Sequence, residues 1–353
     1  MTRDADASDE LAFAVGLAHA NATPLAIQAG CTKDFLGEAI DGEPLDISGH
    51  RGIVNYQPGE LVLTARAGTP LTEIEAALAE QGQMLAFEPP HYGETATLGG
   101  TIAAGLSGPA RPFTGAARDF VLGARIINAR GEILRFGGEV MKNVAGYDLS
   151  RLMAGAYGTL GVLLELSLKV LPRPGAQTTL MFEHDAATAI EQFGRWQRRP
   201  WPITGAYWEN GCSHIRLAGA SASVASAQQQ LGGETLIDDA IFWRGVREQQ
   251  RPFFATARAL WRLSVPPATP RLEIDGECAI DWGGAQRWLS SDADADTIRS
   301  TVAAHGGHAS VYRGHATPRF HPLPEAMMTL HRRVKQSMDP ADILNRGRLY
   351  PDF

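Results

Sequence analysis

The sequence predicts an α+β protein of two domains, and three observations support that prediction. The 353 residues exceed one ordinary domain, since a domain averages about 150 residues. Helical periodicity alternates with short strand-like runs along the chain. A Leu-Pro-Arg-Pro break at 171–174 separates two halves of different character. We therefore predict one domain over 1–174, a second over 175–325, and a tail over 326–353 that returns to the first domain.

Two helices are predicted early in the first domain. Apolar residues at helical spacing predict a helix over 8–20, capped by Ser8. A second helix is expected after Thr69, which is interpreted as its cap, with Pro70 in the first turn, where a missing N–H costs the helix nothing. Gly82 is expected to end that helix.

Short apolar runs bounded by turn residues predict the strands of the same domain. The shorter ones are predicted over 24–28, 61–66, 121–128 and 132–136. A longer strand is predicted over 162–170, because apolar residues alternate there with Glu165, Ser167 and Lys169.

The second domain alternates short, aromatic-rich strands with helices. Strands are predicted over 203–208, 215–217, 260–265 and 279–282. Helices are predicted over 185–197, 221–230 and 292–305. This alternation is typical of an α+β sandwich of ferredoxin-like type. The tail is expected to form a helix over 324–333 and then a loop over 339–351.

Charge and apolar content exclude several classes of function. The chain has 32 basic and 39 acidic residues, a formal net charge of −7, which argues against a nucleic-acid binder. The first residues lack the pattern of a secretory signal, and no apolar run approaches the roughly 18 residues of a membrane span. We expect a cytoplasmic protein with no direct membrane span.

The three cysteines, Cys31, Cys212 and Cys278, are widely spaced and form no C-x-x-C pair. They therefore offer neither a disulfide framework nor a zinc or iron–sulfur site. Each is expected to be a small buried apolar residue, and no metal site is expected. Any iron–sulfur chemistry would have to be carried by another polypeptide.

Glycines cluster at a few places in the first domain. Residues 93–115 hold six of them, and further sets stand at 137, 138 and 146 and at 155, 158 and 161. Such clusters form either tight, close-packed turns or a cradle of backbone N–H groups for an anion. The number of clusters beside predicted strands and helices favours the cradle. Neither G-x-G-x-x-G nor G-x-x-x-x-G-K-[ST] occurs, so a long dinucleotide held by separated loops remains permitted.

Several strings along the chain resemble a known family. The strings at 28–37, 96–103, 118–123 and 155–162 occur in the order seen in flavoproteins of the vanillyl-alcohol oxidase type, which share the PCMH-type FAD-binding fold. The strings at 50–56, 88–93, 135–153 and 280–285 resemble, more specifically, the FAD-binding subunits of bacterial glycolate oxidases. The resemblance implies a PCMH-type FAD-binding domain of two α/β subdomains with a ferredoxin-like α+β cap domain.

The resemblance also implies which residues bind FAD. The turn at 29–33 would hold the pyrophosphate through backbone N–H groups, and 96–102 would follow the diphosphate towards the flavin. The loop at 155–162 would enclose the remainder, with the Val162 backbone meeting adenine. The implied residues in these loops and in the 88–93 string are Ala29, Gly30, Cys31, Thr32, Lys33, Pro90, Ala96, Thr97, Gly99, Gly100, Thr101, Ile102, Gly155, Gly158, Thr159, Gly161 and Val162.

Two departures from the family pattern qualify this site. Members that attach flavin covalently have histidine in the first loop, where this chain has Thr32, so the resemblance implies non-covalent FAD. Gln28 and Ala29 replace the usual arginine–glycine opening, which predicts weaker pyrophosphate binding. The run containing Lys142, Asn143 and Tyr147 is either a solvated surface loop or a further contact with the cofactor.

The resemblance leaves the catalytic residues open. Relatives that oxidise 2-hydroxy acids often carry a His-x-Gly-Asp-Gly-Asn-x-His metal motif, whereas residues 305–308 lack its Asp and Asn. Oxidation needs a cation for the carboxylate and a base for the hydroxyl proton. The candidates are Arg262, Arg319 and its neighbour His321, although both arginines could simply pack their stems on adjacent aromatics.

The function implied is that of an FAD-binding subunit of a multi-subunit glycolate dehydrogenase. It would oxidise glycolate, and D-lactate as a further substrate, to the 2-oxo acid in glyoxylate metabolism. A larger homologous FAD subunit and an iron–sulfur subunit would be its partners, and the complex would associate with the inner face of the cytoplasmic membrane. Two alternatives remain: a non-catalytic assembly subunit and a free-standing 2-hydroxy-acid oxidase.

Overall fold

A computed structural model describes residues 4–138, 148–256 and 258–351. The helices of these residues are α1 (Ser8–Asn21), α2 (Leu71–Glu80), α3 (Leu98–Ala104), α4 (Arg111–Thr114), α5 (Leu149–Leu152), α6 (Ala186–Trp196), α7 (Ser221–Leu231), α8 (Asp239–Arg247), α9 (Ala295–Ala304) and α10 (Glu325–Met338).

The strands, also numbered along the chain, are β1 (Leu25–Gln28), β2 (Glu43–Asp46), β3 (Ile53–Gln57), β4 (Val62–Arg66), β5 (Gln83–Met84), β6 (Val121–Ile127), β7 (Ile133–Gly137), β8 (Val162–Lys169), β9 (Leu171–Pro172), β10 (Ala176–Glu183), β11 (Ile203–Glu209), β12 (Cys212–Gly219), β13 (Glu234–Thr235), β14 (Leu260–Ser264), β15 (Glu277–Asp281), β16 (Gln286–Ser290) and β17 (His308–Arg313). Helices and mostly antiparallel sheets confirm the α+β prediction.

The described chain divides into two compact units. Unit 1 contains residues from 1–106, 116–172 and 322–353, and unit 2 contains 107–115 and 173–321. The sequence placed 107–115 with the first 174 residues, but this segment packs within unit 2. There the indole Nε1 of Trp282 donates a hydrogen bond to the Gly108 carbonyl at 3.0 Å. A long-range contact of this kind leaves no local signal in the sequence.

Unit 1 is built on a five-stranded antiparallel sheet in the order β3-β4-β8-β6-β7. A parallel pair, β1-β2, and an antiparallel pair, β5-β9, form its two smaller sheets. One apolar core joins the five-stranded sheet to residues of α1, α2 and α3. Because α3 and β1 both contribute to this core, the loops that start from them are held by the same packing.

The predicted strand over 162–170 is confirmed as β8, the central strand of the sheet. Its alternation separates an apolar layer from a polar one, and both are buried. Glu165 pairs with Arg125 at 2.9 Å and with Arg135 at 3.5 Å, and the hydroxyls of Ser167 and Thr64 lie 2.8 Å apart. Buried polar groups that are paired in this way carry a much lower desolvation cost.

Unit 2 contains an eight-stranded antiparallel sheet that confirms the ferredoxin-like prediction. Its first half follows β10-α6-β11-β12-α7-β13, with the strands arranged β13-β10-β12-β11, which is the ferredoxin-like topology. The second half is arranged β15-β16-β14-β17, the same order reversed, with α9 before β17. The halves meet where β11 pairs with β15 at Trp208 and Ile280.

The two faces of the second half of this sheet differ in chemistry. One face packs its apolar side chains, including Leu263 and Val311, against Ile298 and Val302 of α9. The other face carries the alternate residues of the same strands. Register places Ser264 opposite both His308 and Gln286, and Arg262, two residues earlier on β14, lies on that face too. We call these four residues the polar face.

Two predicted helix caps were wrong. Ser8 is the first residue of α1, after the cap residue Ala7, and its hydroxyl donates to Asp6 Oδ1 at 2.5 Å. Thr69 precedes the actual cap of α2, and its hydroxyl accepts a hydrogen bond from the Gly52 N–H at 2.9 Å. Both hydroxyls serve neighbouring loops, because the chain entering each helix brings other polar groups within reach.

The remaining predicted elements lie within a few residues of the observed ones, and the tail helix α10 is longer than its prediction. Within the described residues, no helix is both long enough and apolar enough to cross a membrane.

Candidate functional site

A cavity of about 410 Å³ opens in unit 1 among four chain segments: the β1–β2 loop, α3, the loop before β8, and the tail after α10. Ten of the predicted cofactor residues line it, namely Ala29, Gly30, Cys31, Thr32, Lys33, Thr97, Gly99, Gly100, Gly158 and Gly161. Its apolar wall includes Ala26, Ile27, Ile40, Ile47, Ala103, Ala104 and Leu163.

The β1–β2 loop approaches the segment before α3 through the main chain. The Thr95 hydroxyl donates to the Gly30 carbonyl at 2.6 Å, and a Cβ at Gly30 would lie 1.6 Å from the Thr95 carbonyl oxygen. No side chain can occupy that space, so only glycine permits this approach. Cys31, the next residue, adopts the left-handed conformation with φ 54°.

Lys33 brings a positive charge into the cavity wall. Its side chain is buried, and its ammonium donates to the Thr32 hydroxyl at 3.3 Å and to the His91 carbonyl at 3.2 Å. The lysine therefore fastens the β1–β2 loop to the segment at 91, while its charge favours an anion in the cavity.

The glycines of α3 have different roles. Gly99 donates its N–H to the Ala67 carbonyl at 2.7 Å, and a Cβ there would lie 2.7 Å from the Ala67 Cβ. Gly99 thus provides close packing behind the cavity, and its N–H is already used. Gly100 is exposed, and its N–H points to the Thr97 hydroxyl at 3.3 Å, which caps the helix.

The loop before β8 relies on glycine at two positive-φ positions. Gly155 has φ 82° and Gly158 has φ 75°. The Gly155 N–H donates to the Ile102 carbonyl at 3.0 Å, which attaches the loop to α3. A Cβ at Gly158 would lie 2.7 Å from Asn345 Nδ2, so this glycine leaves room for the tail.

Asn345 and Arg348 of the tail complete the cavity wall. The Asn345 side chain accepts from the Ile27 N–H at 2.8 Å and donates to the Tyr157 carbonyl at 2.7 Å, so it bridges strand β1 and the loop before β8. The Arg348 guanidinium donates to the Asp34 carbonyl at 3.1 Å. Sequence reasoning missed both residues, and their only signal was their place in the predicted returning tail.

A buried ion pair holds that tail in position. The Lys335 ammonium donates to Asp339 Oδ2 at 2.7 Å, to the Thr159 carbonyl at 3.0 Å and to the Leu344 carbonyl at 2.8 Å. Asp339 in turn accepts from the Leu344 N–H at 2.8 Å. Lys335 therefore ties α10, the tail and the loop before β8 together at one point.

The other predicted cofactor residues do not line the cavity. Seven lie in or behind the surrounding segments: Pro90, Ala96, Thr101, Ile102, Gly155, Thr159 and Val162. Several of these are fully buried, so they support the wall rather than face the space. Lys142, Asn143 and Tyr147 lie outside the described residues.

Cys31 corrects the expectation that every cysteine is buried. It is exposed and lines the cavity, while Cys212 and Cys278 are half-buried. Loss of solvation and the nearby Asp34 carboxylate raise the pKa of the Cys31 thiol. The thiol is therefore protonated at neutral pH and is a poor nucleophile.

The predicted catalytic residues all lie in unit 2. Arg262 projects from β14, and the His321 ring accepts a hydrogen bond from the Ala309 N–H at 3.3 Å. Arg319 pairs its carbonyl with the Val311 N–H at 2.8 Å. Loss of solvation lowers the pKa of His321, and so does the charge of Arg299.

The cavity in unit 1 has the features that an FAD diphosphate and its attached groups require. Its walls approach through glycine main chain at Gly30 and Gly158, where a Cβ would intrude. Lys33 and Arg348 supply positive charge, and apolar residues face the remaining space. These lining residues therefore fit a long cofactor that is anionic in one part and apolar in another.

Comparison with known proteins supports an FAD-binding chain. Residues 4–137 match the family described as FAD binding domain. Glycolate oxidase subunit GlcE of Escherichia coli (strain K12) is 50% identical over 353 residues, covering 100% of both chains.

More distant relatives match parts of the chain. D-lactate dehydrogenase of Anaerostipes hadrus is 30% identical over 54% of this chain and 41% of its own length. Glycolate oxidase subunit GlcD of Bacillus subtilis (strain 168) is 34% identical over 40% of this chain and 30% of its own. The solved alkyldihydroxyacetonephosphate synthase superposes with a TM-score of 0.65 over 96% of this chain and 74% of that chain, at 16% identity, which shows a shared fold alone.

Proposed function

Since this chain belongs to the family of the glycolate oxidase subunit GlcE, we propose that it is an FAD-dependent subunit that oxidises glycolate, and D-lactate as a further substrate, to the 2-oxo acid. The observation that carries the proposal is the cavity of unit 1. Two glycine-containing loops, the glycine-containing helix α3 and the tail form its wall, within a chain that matches an FAD-binding domain.

The loop at 29–33 would hold the cofactor pyrophosphate, with Lys33 and Arg348 balancing its charge. Gly100 and Gly158 would permit close approach, and the apolar wall would bury the rings. Asn345 would fix the spacing between strand β1 and the loop before β8. The buried members of the predicted set would act by supporting these segments.

The FAD is proposed to be non-covalent. Thr32 stands where covalently flavinylated relatives have histidine, and the described residues lining the cavity include no histidine. The raised pKa of the Cys31 thiol argues against attachment through sulfur.

When bound, the flavin supplies an acceptor for the hydride released from the C–H bond of the hydroxy acid. The protein must hold the substrate carboxylate with a cation and take up the hydroxyl proton. Arg262, Arg319 and His321 remain the proposed residues for those tasks. The lowered pKa of His321 favours a neutral ring. Because its Nδ1 accepts the Ala309 N–H, proton uptake at Nε2 would require that hydrogen bond to break and the ring proton to move to Nδ1.

Electrons are proposed to pass to an iron–sulfur subunit, in a complex that also contains a larger homologous FAD subunit. The widely spaced cysteines of this chain support that division of labour. We propose a cytoplasmic location, with the complex joining the inner face of the membrane. A non-catalytic assembly subunit and a free-standing oxidase are the competing functions.

The flavin spectrum of the purified chain, recorded anaerobically before and after glycolate, separates these functions. We expect bound flavin that bleaches with glycolate when the partner subunits are present. Absence of flavin after reconstitution with FAD would leave the assembly role. Bleaching in the isolated chain would instead identify a free-standing oxidase.

A further inference from the structure

The turn at 281–284, part of the string at 280–285, does not line the cavity of unit 1, and its backbone is unusual. Trp282, Gly283 and Gly284 all have positive φ, at 54°, 60° and 107°. The Asp281 carboxylate accepts the Trp282 N–H at 2.7 Å and holds the turn. Such strain at a non-glycine residue persists where the surroundings fix it, and it is concentrated at functional sites.

The turn fixes the Trp282 indole in one position. The side chain is buried, and its Nε1 donates to the Gly108 carbonyl at 3.0 Å. With its backbone and ring nitrogen both held, the indole is a rigid support for whatever contacts its ring.

Two arginines share that ring. The guanidinium carbons of Arg111 and Arg262 lie 4.3 Å and 5.0 Å from the centroid of the Trp282 ring. Each contact is favourable by itself as a cation–π interaction. Both guanidinium groups therefore lie at the same indole ring, and their positive charge favours an anion nearby.

One hydrogen bond orients the Arg262 guanidinium. Its Nε donates to Gln286 Oε1 at 2.7 Å, and Gln286 Nε2 reaches Asp281 Oδ2 at 3.4 Å, which fixes the amide. Among the residues that the structure describes, Nη1 and Nη2 of this half-buried guanidinium have no hydrogen-bond or ion-pair partner. A planar fork with both terminal nitrogens available is the geometry that binds a carboxylate through two hydrogen bonds.

The pKa of His308 is affected by the charges around the polar face. Loss of solvation lowers its pKa, and the next contributions come from the positive charge of Arg262, from His321 and from Arg111. The positive charges of Arg262 and Arg111 thus disfavour the protonated His308 ring. The nearby acid, Asp281, is occupied by the Trp282 N–H and by Gln286.

We propose that Arg262 and Arg111, positioned by Trp282, form a carboxylate-binding site on the polar face of unit 2. Its ligand is the carboxylate of a small 2-hydroxy acid or of the corresponding 2-oxo acid, and this ligand class rests on the proposed function. Arg262 binds both carboxylate oxygens. Arg111, in the 107–115 segment of unit 2, adds a second positive charge. Trp282 and Gln286 act as positioning residues.

Isothermal titration of the full-length, FAD-loaded chain with oxalate tests the site without redox chemistry, because oxalate has no C–H bond to oxidise. Saturable binding is expected for the wild type. Arg262→Gln should weaken it about tenfold or more, because the charge-assisted pair is lost. Arg262→Lys, which keeps the charge and loses the fork, should give an intermediate affinity, and Arg111→Gln should also weaken binding.

Arg258→Gln is the matched control, since Arg258 is an exposed arginine of the same unit that pairs with Asp292 at 3.6 Å. It should leave the oxalate affinity unchanged, and thermal melting should show every variant folded. Absence of oxalate binding in the wild type, or equal affinities for Arg262→Gln and Arg258→Gln, would overturn the site.

The site and the proposed function fail in different ways. One outcome is that oxalate binding depends on Arg262 but the flavin never responds to glycolate, even with the partner subunits present. That outcome would support the carboxylate site and contradict the proposed function. Bleaching by glycolate with oxalate affinity independent of Arg262 would do the reverse.

Discussion

The cavity of unit 1 and the arginine pair of unit 2 are built in opposite ways. The cavity is shaped by main chain, at Gly30 and Gly158, where a Cβ would collide with a neighbour. The arginine pair is made of long side chains stacked on the Trp282 ring. A site shaped by main chain requires glycines, which can be recognised in the sequence as clusters. A site made of arginine side chains has no such pattern, because its arginines cannot be told from other arginines in the sequence.

The cavity of unit 1 is not built from main chain alone, because a pair of buried side chains also supports it. Lys335 and Asp339 are both buried, and four of the hydrogen bonds around them end on backbone carbonyl or amide groups of the tail and the loop before β8.

Lys335→Met should have the largest effect. Removing one partner of a buried ion pair costs about 3–5 kcal/mol, because the Asp339 carboxylate and two carbonyls lose their donor. Chemical denaturation would measure this loss, and FAD retention should fall with it. Arg333→Met, an exposed change on the same helix, is the control. Equal stabilities of the two variants would show that the cavity does not need the ion pair.

Gly30→Ala should weaken FAD binding about 100-fold, or about 2.7 kcal/mol, because the new methyl group would displace the β1–β2 loop from Thr95. Flavin absorbance per protein and fluorescence titration would measure the affinity. Gly49→Ala is the matched control, since no described atom lies within 4 Å of its Cβ position. Normal FAD affinity in Gly30→Ala would mean that the main-chain approach is dispensable.

His214→Phe should have a smaller effect, which depends on pH. His214 is buried against Phe242, with ring centroids 4.1 Å apart, and loss of solvation followed by the charge of Arg251 lowers its pKa from 6.5 to about 4. The unfolded state therefore binds more protons between those values, so stability falls as pH falls from about 6.5 towards 4.

Between pH 7 and pH 5 this histidine should account for about 2 kcal/mol of lost unfolding free energy. The Phe variant should lose less stability over that range, as measured by urea unfolding at each pH. An exposed change, His305→Gln, provides the baseline. Parallel pH profiles for the wild type and His214→Phe would contradict a neutral buried ring in the second unit.

Much of the fold could be predicted because it depends on neighbouring residues. Alternation identified β8, and helical spacing identified α1. The caps failed at Ser8 and Thr69, since a hydroxyl can hydrogen-bond to any of several nearby polar groups, here the Asp6 carboxylate and the Gly52 N–H. Gly99 lay in the expected place, but its N–H bonds Ala67, a contact made by the packing of α3 on the sheet.

The sequence by itself determined the α+β class, the Leu-Pro-Arg-Pro break at 171–174 and the glycine clusters, because backbone preferences are encoded in adjacent residues. Only the tertiary structure decided which residues meet across the chain. Asn345 joins Ile27 and Tyr157, and the Trp282 ring reaches Gly108, 174 positions away. Such contacts depend on sheet register and on where the chain returns, and neither leaves a local pattern.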